Sequence, residues 1–165
     1  FEEVITAESD RGSAASLSAR YALAGKARAL RRLGRHVEAD EQTERTLERL
    51  RDALGPAHWE SLRAALEVVH ARKRAGRTVE ALATAQEYAR AGRELDPAPA
   101  DVYPRLELVA GELCLELGDL AAAREHLAFA ERVRAAATTA NGGYAAELDA
   151  AWDSCRRMES ESAGQ

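Results

Sequence analysis

The sequence predicts an all-helical repeat protein, and three observations support this prediction. Gly34, Gly76 and Gly118 recur with a 42-residue period, and an alanine follows each of them at the fifth position. The 165-residue chain is rich in alanine, its aromatic content is only 5%, and it has four prolines. No run of alternating β-branched residues indicates a strand. A fixed period of this length is typical of a solenoid, in which each unit buries its apolar face against its neighbours.

The repeat divides the chain into units and predicts about seven helices. The predicted segments are, in order, a remnant of a preceding repeat helix, three helix pairs, a C-terminal capping helix and a disordered tail: 1–12, then about 13–56, 57–98 and 99–140, then 141–158 and 159–165. The capping helix is expected because a terminal repeat needs a polar outer face. The polar composition of the last residues predicts the disordered tail.

The first pair is predicted at about 14–33 and 36–54. Gly34 fits the tight turn between the two helices, where glycine adopts a left-handed backbone at low cost. Gly55-Pro56 is expected to end the pair, since proline cannot continue a helix.

The helices of the later units are predicted from the same signals, one period further along the chain. The second pair is predicted at about 59–75 and 78–95, with an end at Asp96-Pro97. The third is predicted at about 101–117 and 120–137, because apolar residues keep helical spacing there. The seventh helix, at about 144–158, follows the predicted turn at Gly142-Gly143.

Charge and cysteine content limit the function. The chain has 23 basic and 28 acidic residues, and its net charge of −5 argues against a general nucleic-acid binder. Two cysteines without CxxC spacing indicate neither a disulfide framework nor a metal motif, so a reduced, cytoplasmic location is expected. No apolar run reaches the ~18 residues of a membrane span. The chain starts at Phe1 and its single methionine is Met158, so we expect it to be the C-terminal part of a larger protein.

Catalytic chemistry is not expected. The four histidines are scattered and lack the spacing of a zinc helix motif, so a structural or solvated role is predicted for each: His36, His58, His70 and His126. No Gly-rich phosphate loop is present, and no histidine lies near Cys155 in sequence. We therefore predict a protein that is not an enzyme and that has no cofactor or metal site. Trp59 and Trp152 are expected to fill seams between helices, with a role as ligand anchors as the alternative.

Two short motifs resemble a known family. The Gly-x-x-x-Glu-Ala turn at Gly34 and Gly76, and the segment Gly55-Pro56-Ala57-His58-Trp59, are similar to the tetratricopeptide repeat family. The likeness is to its long-period variety, seen in kinesin light chains and in bacterial multidomain proteins, and it covers about residues 14–137. It implies a right-handed superhelical solenoid of antiparallel helix pairs, whose first helices line a concave groove.

The resemblance also selects groove residues. Transferring the family's groove positions to this chain implies a partner-binding surface with a basic character in the first two units. Its candidate residues are Tyr21, Arg28, Arg31, Arg32, Arg63, His70, Lys73 and Arg74, with Arg105 in the third unit, where Glu112 and Glu116 are also groove positions. Guanidinium groups bind carboxylates through paired hydrogen bonds, so an acidic peptide is the matching ligand. The alternative is that these arginines belong to an ordinary solvated face.

The predicted function is therefore a non-enzymatic protein–protein interaction module of a bacterial regulatory or sensor protein. It would bind a peptide or partner domain in the concave groove. A homo-oligomerisation element of a larger complex is the alternative.

Overall fold

A computed structural model describes residues 22, 25–94, 102–136 and 144–163, and this part of the chain is all-helical. Residues 25–32 are helical and are called α1. The six following helices are α2 (His36–Leu54), α3 (Trp59–Arg74), α4 (Thr78–Arg93), α5 (Tyr103–Glu116), α6 (Leu120–Ala136) and α7 (Ala145–Ala163). No residue in these ranges forms a strand. The predicted remnant at 1–12, the break at Asp96-Pro97 and the turn at Gly142-Gly143 lie outside the described residues.

Most observed helix boundaries lie within two residues of the prediction, and α2 agrees at both ends. The end of α7 differs. The helix continues through Ala163, so the prediction of disorder from residue 159 was wrong for 159–163. Glu159 forms an ion pair with Arg124 of α6, and the Ser160 hydroxyl donates to the Arg157 carbonyl at 2.7 Å. These contacts extend the helix beyond its apolar stripe.

The three predicted glycine turns are confirmed, and they share one geometry. Gly34, Gly76 and Gly118 have φ values of +73°, +72° and +79°. After each glycine, the next backbone N–H donates at 2.9 Å to the carbonyl five residues earlier, as in a Schellman motif. Only glycine adopts this left-handed conformation without a steric cost. The period in the sequence is therefore a period in backbone conformation.

The residues that start the second helices differ between units. Arg35 pairs with Glu38 at the start of α2, and Arg77 pairs with Glu80 at the start of α4. The third unit lacks this glutamate. There the Asp119 carboxylate accepts a hydrogen bond from the Ala122 N–H at 3.0 Å, which is the interaction of an N-terminal cap. Different side chains thus stabilise the same turn.

Small residues lie where the helices of a pair cross. Ala39, Ala81 and Ala123 are completely buried. In the third pair, a Cβ added to Gly111 would lie 2.8 Å from a Leu127 methyl and 3.4 Å from the Ala123 carbonyl oxygen. The backbones of α5 and α6 therefore approach closely at this point, and a larger side chain would separate them.

The helices pack in sequence along the chain. From α2 to α7, each helix packs against the next, while α3 also contacts α5 and α5 also contacts α7. The core between them is built mainly from leucine, valine and alanine with Tyr88 and Tyr103. The first helices of successive pairs therefore lie side by side. Within the described ranges, no helix is both long and apolar enough to cross a membrane.

Candidate partner-binding face

The predicted groove residues of the second unit lie on the accessible side of α3. Arg63 and Arg74 are exposed, and His70 and Lys73 are half-buried. The opposite side of this helix is buried in the core, at Leu62, Ala65, Val68, Val69 and Ala71. The helical register predicted for this unit is therefore consistent with the burial pattern.

The first and third units contribute further predicted residues. Arg28 and Arg32 on α1 are exposed, and Arg31 is half-buried. Arg105 on α5 is half-buried. Tyr21 lies outside the described residues, so the structure does not place it.

The same 42-residue register continues into α7, which the sequence analysis treated only as a cap. Positions equivalent to His70 are Glu112 on α5 and Ser154 on α7, and all three are half-buried. Positions equivalent to Arg74 are Glu116 and Met158. We call the surface formed by these equivalent positions of α1, α3, α5 and α7 the first-helix face. The burial pattern of α7 is that of a fourth first helix.

An open cavity of about 530 Å³ lies on the first-helix face. Residues of α3, α5 and α7 line it: Lys73, Glu112, Leu115, Glu116, Glu147, Ala150, Ala151, Ser154 and Met158. Leu115 and Ala151 are buried and provide apolar surface, while Glu147 and Ala150 are exposed. The cavity thus combines an apolar floor with an acidic rim.

Lys73 connects two first helices across this cavity. Its Nζ lies 2.9 Å from Glu116 Oε1 and 3.1 Å from Glu112 Oε2. Burial alone would lower the pKa of Lys73. The hydrogen bonds to Glu116 and Glu112 raise this pKa by more than burial lowers it, so the net shift is upward. Lys73 is therefore a cation held by this chain's own carboxylates.

Two other predicted groove arginines contact a carboxylate of α2. Asp40 Oδ1 lies 3.5 Å from Arg31 and 3.9 Å from Arg74, and Arg31 also donates to the Thr43 hydroxyl at 3.3 Å. Burial lowers the pKa of His70, which favours its neutral form. The positive charge expected of the second unit is therefore partly balanced within the protein.

The charge of the first-helix face changes along the repeats. The column that contains His70 reads Arg28, His70, Glu112 and Ser154. A neighbouring column reads Arg32, Arg74, Glu116 and Met158. These two columns are thus basic at α1 and α3 and acidic at α5. A third column reads Arg63, Arg105 and Glu147, so it becomes acidic only at α7. The sequence motifs predicted a basic character for the first two units only and assigned no role to the carboxylates of the third.

A buried polar cluster on the other side of α5 was missed by the sequence analysis. Glu107 is completely buried, and Arg93 of α4 donates to both of its carboxylate oxygens at 2.8 and 3.0 Å. His126 Nδ1 of α6 lies 2.7 Å from Glu107 Oε2. Three helices are therefore joined through one carboxylate.

Aromatic contacts surround this cluster. The Arg93 guanidinium lies 4.5 Å from the centre of the Phe129 ring, and Arg132 lies 4.6 Å from the same ring. Tyr103 packs edge-on against Phe129 at 5.6 Å. Because the carboxylate of Glu107 is already bound by Arg93 and His126, its geometry suits helix fixation better than proton transfer.

The cysteines are buried in the helical packing, and the tryptophans are half-buried. Cys114 and Cys155 are buried, and burial raises the pKa of Cys114 to about 11 and also raises the pKa of Cys155. A raised pKa disfavours the thiolate that nucleophilic attack requires. Trp152 is half-buried against the core between α6 and α7, and Trp59 is half-buried at the start of α3.

Comparison of the chain with models of protein families, with curated proteins and with solved structures finds no match. The resemblance to tetratricopeptide repeats therefore depends on the sequence motifs alone. Among the residues with described positions, no group of three or more histidine, cysteine, aspartate or glutamate side chains has a geometry that could hold a metal ion.

Proposed function

We propose that this chain is a non-enzymatic protein-interaction module that binds a peptide or a partner domain on the first-helix face. The observation that supports this proposal is the position of the open cavity. It lies on the face that the 42-residue register defines, since every residue of the cavity is on a first helix. Such a face exposes polar side chains above a shaped apolar floor, which is what an extended ligand needs for orientation and affinity.

The wider setting is part of the same proposal. The contacts between α3 and α5 and between α5 and α7 fit a right-handed superhelical solenoid of helix pairs, as the tetratricopeptide resemblance implies. In that setting the chain would act in the cytoplasm as the docking end of a larger bacterial regulatory or sensor protein. Its partner would be a protein, and an acidic segment of that partner would fit the exposed arginines of α1 and α3.

Blocking the cavity tests the proposal. An immobilised array of short peptides with systematically varied charge and apolar content would be probed with the purified chain. Ala150→Trp places a large ring at the exposed edge of the cavity, and Ala146→Trp places the same ring on an exposed position of α7 outside the cavity. We expect Ala150→Trp to lose the bound peptides and Ala146→Trp to keep them. Equal binding patterns for the two variants would contradict the proposal.

A second function, self-association, is favoured by a different surface. Four large apolar side chains are exposed beside the glycine turns, namely Leu33, Val37, Val79 and Leu117, with exposed fractions of 71%, 74%, 68% and 46%. Apolar side chains at equivalent turns could pair with another copy of the chain. Sedimentation velocity tests this function. It predicts a concentration-dependent dimer that Val37→Glu/Val79→Glu abolishes, and a monomer at every concentration would argue against it.

A further inference from the structure

We infer that the ligand of the first-helix face is charge-segregated. One part of it is acidic and contacts α1 and α3, and an adjacent part carries a basic side chain beside an apolar one and occupies the cavity between α5 and α7. This inference rests on the proposed peptide-binding function and specifies the chemistry of the partner.

The charge of equivalent positions changes from positive to negative along the chain. Arg28, Arg32 and Arg63 are exposed, and no ion pair joins any of them to another described residue. Two periods further along the chain, the equivalent positions are Glu112, Glu116 and Glu147, while Arg105 stands one period after Arg63. A uniformly acidic peptide that followed this face would pair with the arginines and then meet three carboxylates of like charge, which disfavours it.

The acidic part of the first-helix face already binds an ammonium group. Lys73 Nζ lies within hydrogen-bond distance of both Glu112 and Glu116. Glu147 lines the same cavity, is exposed, and forms no ion pair with the part of the chain described here. The cavity therefore has more negative than positive charge, and Glu147 is the carboxylate available to a basic ligand side chain.

An apolar floor lies beneath this acidic rim. Leu115 and Ala151 are buried there, and Met158 is half-buried against the same core. A flexible methionine side chain adapts to varied apolar groups. A ligand segment with a lysine or arginine next to a leucine-sized side chain would satisfy both the rim and the floor.

Three fluorescein-labelled peptides of equal length test the inference by fluorescence anisotropy. The first has an acidic block followed by a Lys-Leu-Lys-Leu block, the second has the same composition in alternating order, and the third is uniformly acidic. We expect the segregated peptide to bind about tenfold more tightly than either of the others. Equal affinity for the segregated and alternating peptides would overturn the inference.

Charge reversal at Glu147 should change the affinities of the segregated and the uniformly acidic peptide in opposite directions. Glu147→Lys should weaken the segregated peptide about tenfold and should strengthen the uniformly acidic peptide, because the rim then attracts acids. Glu48→Lys, a charge reversal at another exposed glutamate that lies on a second helix, should change neither affinity. Weakening of both peptides by Glu147→Lys, or no effect on either, would overturn the inference.

The two proposals fail in different ways. If Ala150→Trp removes peptide binding but the order of the charge blocks has no effect, only the charge-segregated ligand is rejected. If Ala150→Trp retains all peptide binding, the first-helix face is not the binding surface and both proposals are rejected.

Discussion

Replacement of Glu107 by glutamine measures what the buried cluster contributes to stability. Glu107→Gln preserves the size of the side chain but removes the charge that Arg93 and His126 contact. Hydrogen bonds to charged groups contribute about 1.5–3 kcal/mol. The Arg93 side chain is 38% exposed. Water can therefore solvate its guanidinium after the change, and the cost lies toward the lower end. We expect a loss of about 2 kcal/mol in the free energy of unfolding.

The loss of unfolding free energy caused by Glu107→Gln should depend on pH. Burial alone would raise the pKa of Glu107, but the hydrogen bonds from His126 and Arg93 hold it below its ordinary value of 4.5. A carboxylate whose pKa is lower in the folded state stabilises the fold fully above its unfolded pKa. That contribution is lost as the pH falls through the folded pKa. The difference in the free energy of unfolding between wild type and Glu107→Gln should therefore be largest at neutral pH and should become smaller at acidic pH.

Urea unfolding followed by helical circular dichroism is the assay. With a slope of about 2 kcal/mol per molar urea, the predicted loss lowers the midpoint by about 1 M at neutral pH. Glu125→Gln is the matched control, since Glu125 is exposed on α6 close to the same cluster. If Glu107→Gln costs no more than Glu125→Gln at neutral pH, the carboxylate does not join the three helices as described.

Three further predictions concern the repeats and the thiols. Ala81→Leu should cost about 1–3 kcal/mol by overpacking the buried crossing of α3 and α4, whereas Ala83→Leu on the exposed side of α4 should cost almost nothing in a thermal melt. Gly76→Ala should cost about 1–2 kcal/mol in the same melt, because a side chain at positive φ is strained. Gly76 has a φ of +72°, whereas Gly25 is helical and a Cβ added to it would meet no neighbouring atom within 4 Å, so Gly25→Ala should be neutral or stabilising. Both cysteine thiols should react with Ellman's reagent only after unfolding. The reason is that both are buried and that burial raises the pKa of Cys114 to about 11. Prompt reaction of the native chain would show that the core opens.

The turns were predictable because they depend on one residue type. A positive φ in a tight turn requires glycine, and the recurrence of Gly34, Gly76 and Gly118 therefore located three turns and the helices beside them. The completely buried alanines after these turns belong to the same local signal. Periodicity along the chain is sufficient for features that are formed by neighbouring residues.

The charge balance was not predictable in this way, because it depends on residues that the fold brings together. Lys73 and Glu112 are 39 residues apart, and Arg93 and Glu107 are 14 apart. Helical periodicity shows which side of a helix is buried, but it does not show which carboxylate lies opposite a given cation. A signal for Glu107 did exist, since it stands between Leu106 and Leu108 on a helix that is apolar on most sides. A charge at such a position requires a partner.

The packing of each helix against its near neighbours in the chain affects how the molecule responds to force. From α2 to α7, the helices that pack extensively against each other are next to each other or next but one in the chain, so no extensive packing joins one end of this part of the chain to the other. In such an array, stability is a sum of local unit and interface terms. Stretching the chain between its two ends should therefore release one helix pair at a time, in a series of small extensions, and the pairs that remain folded would keep their own part of the surface intact.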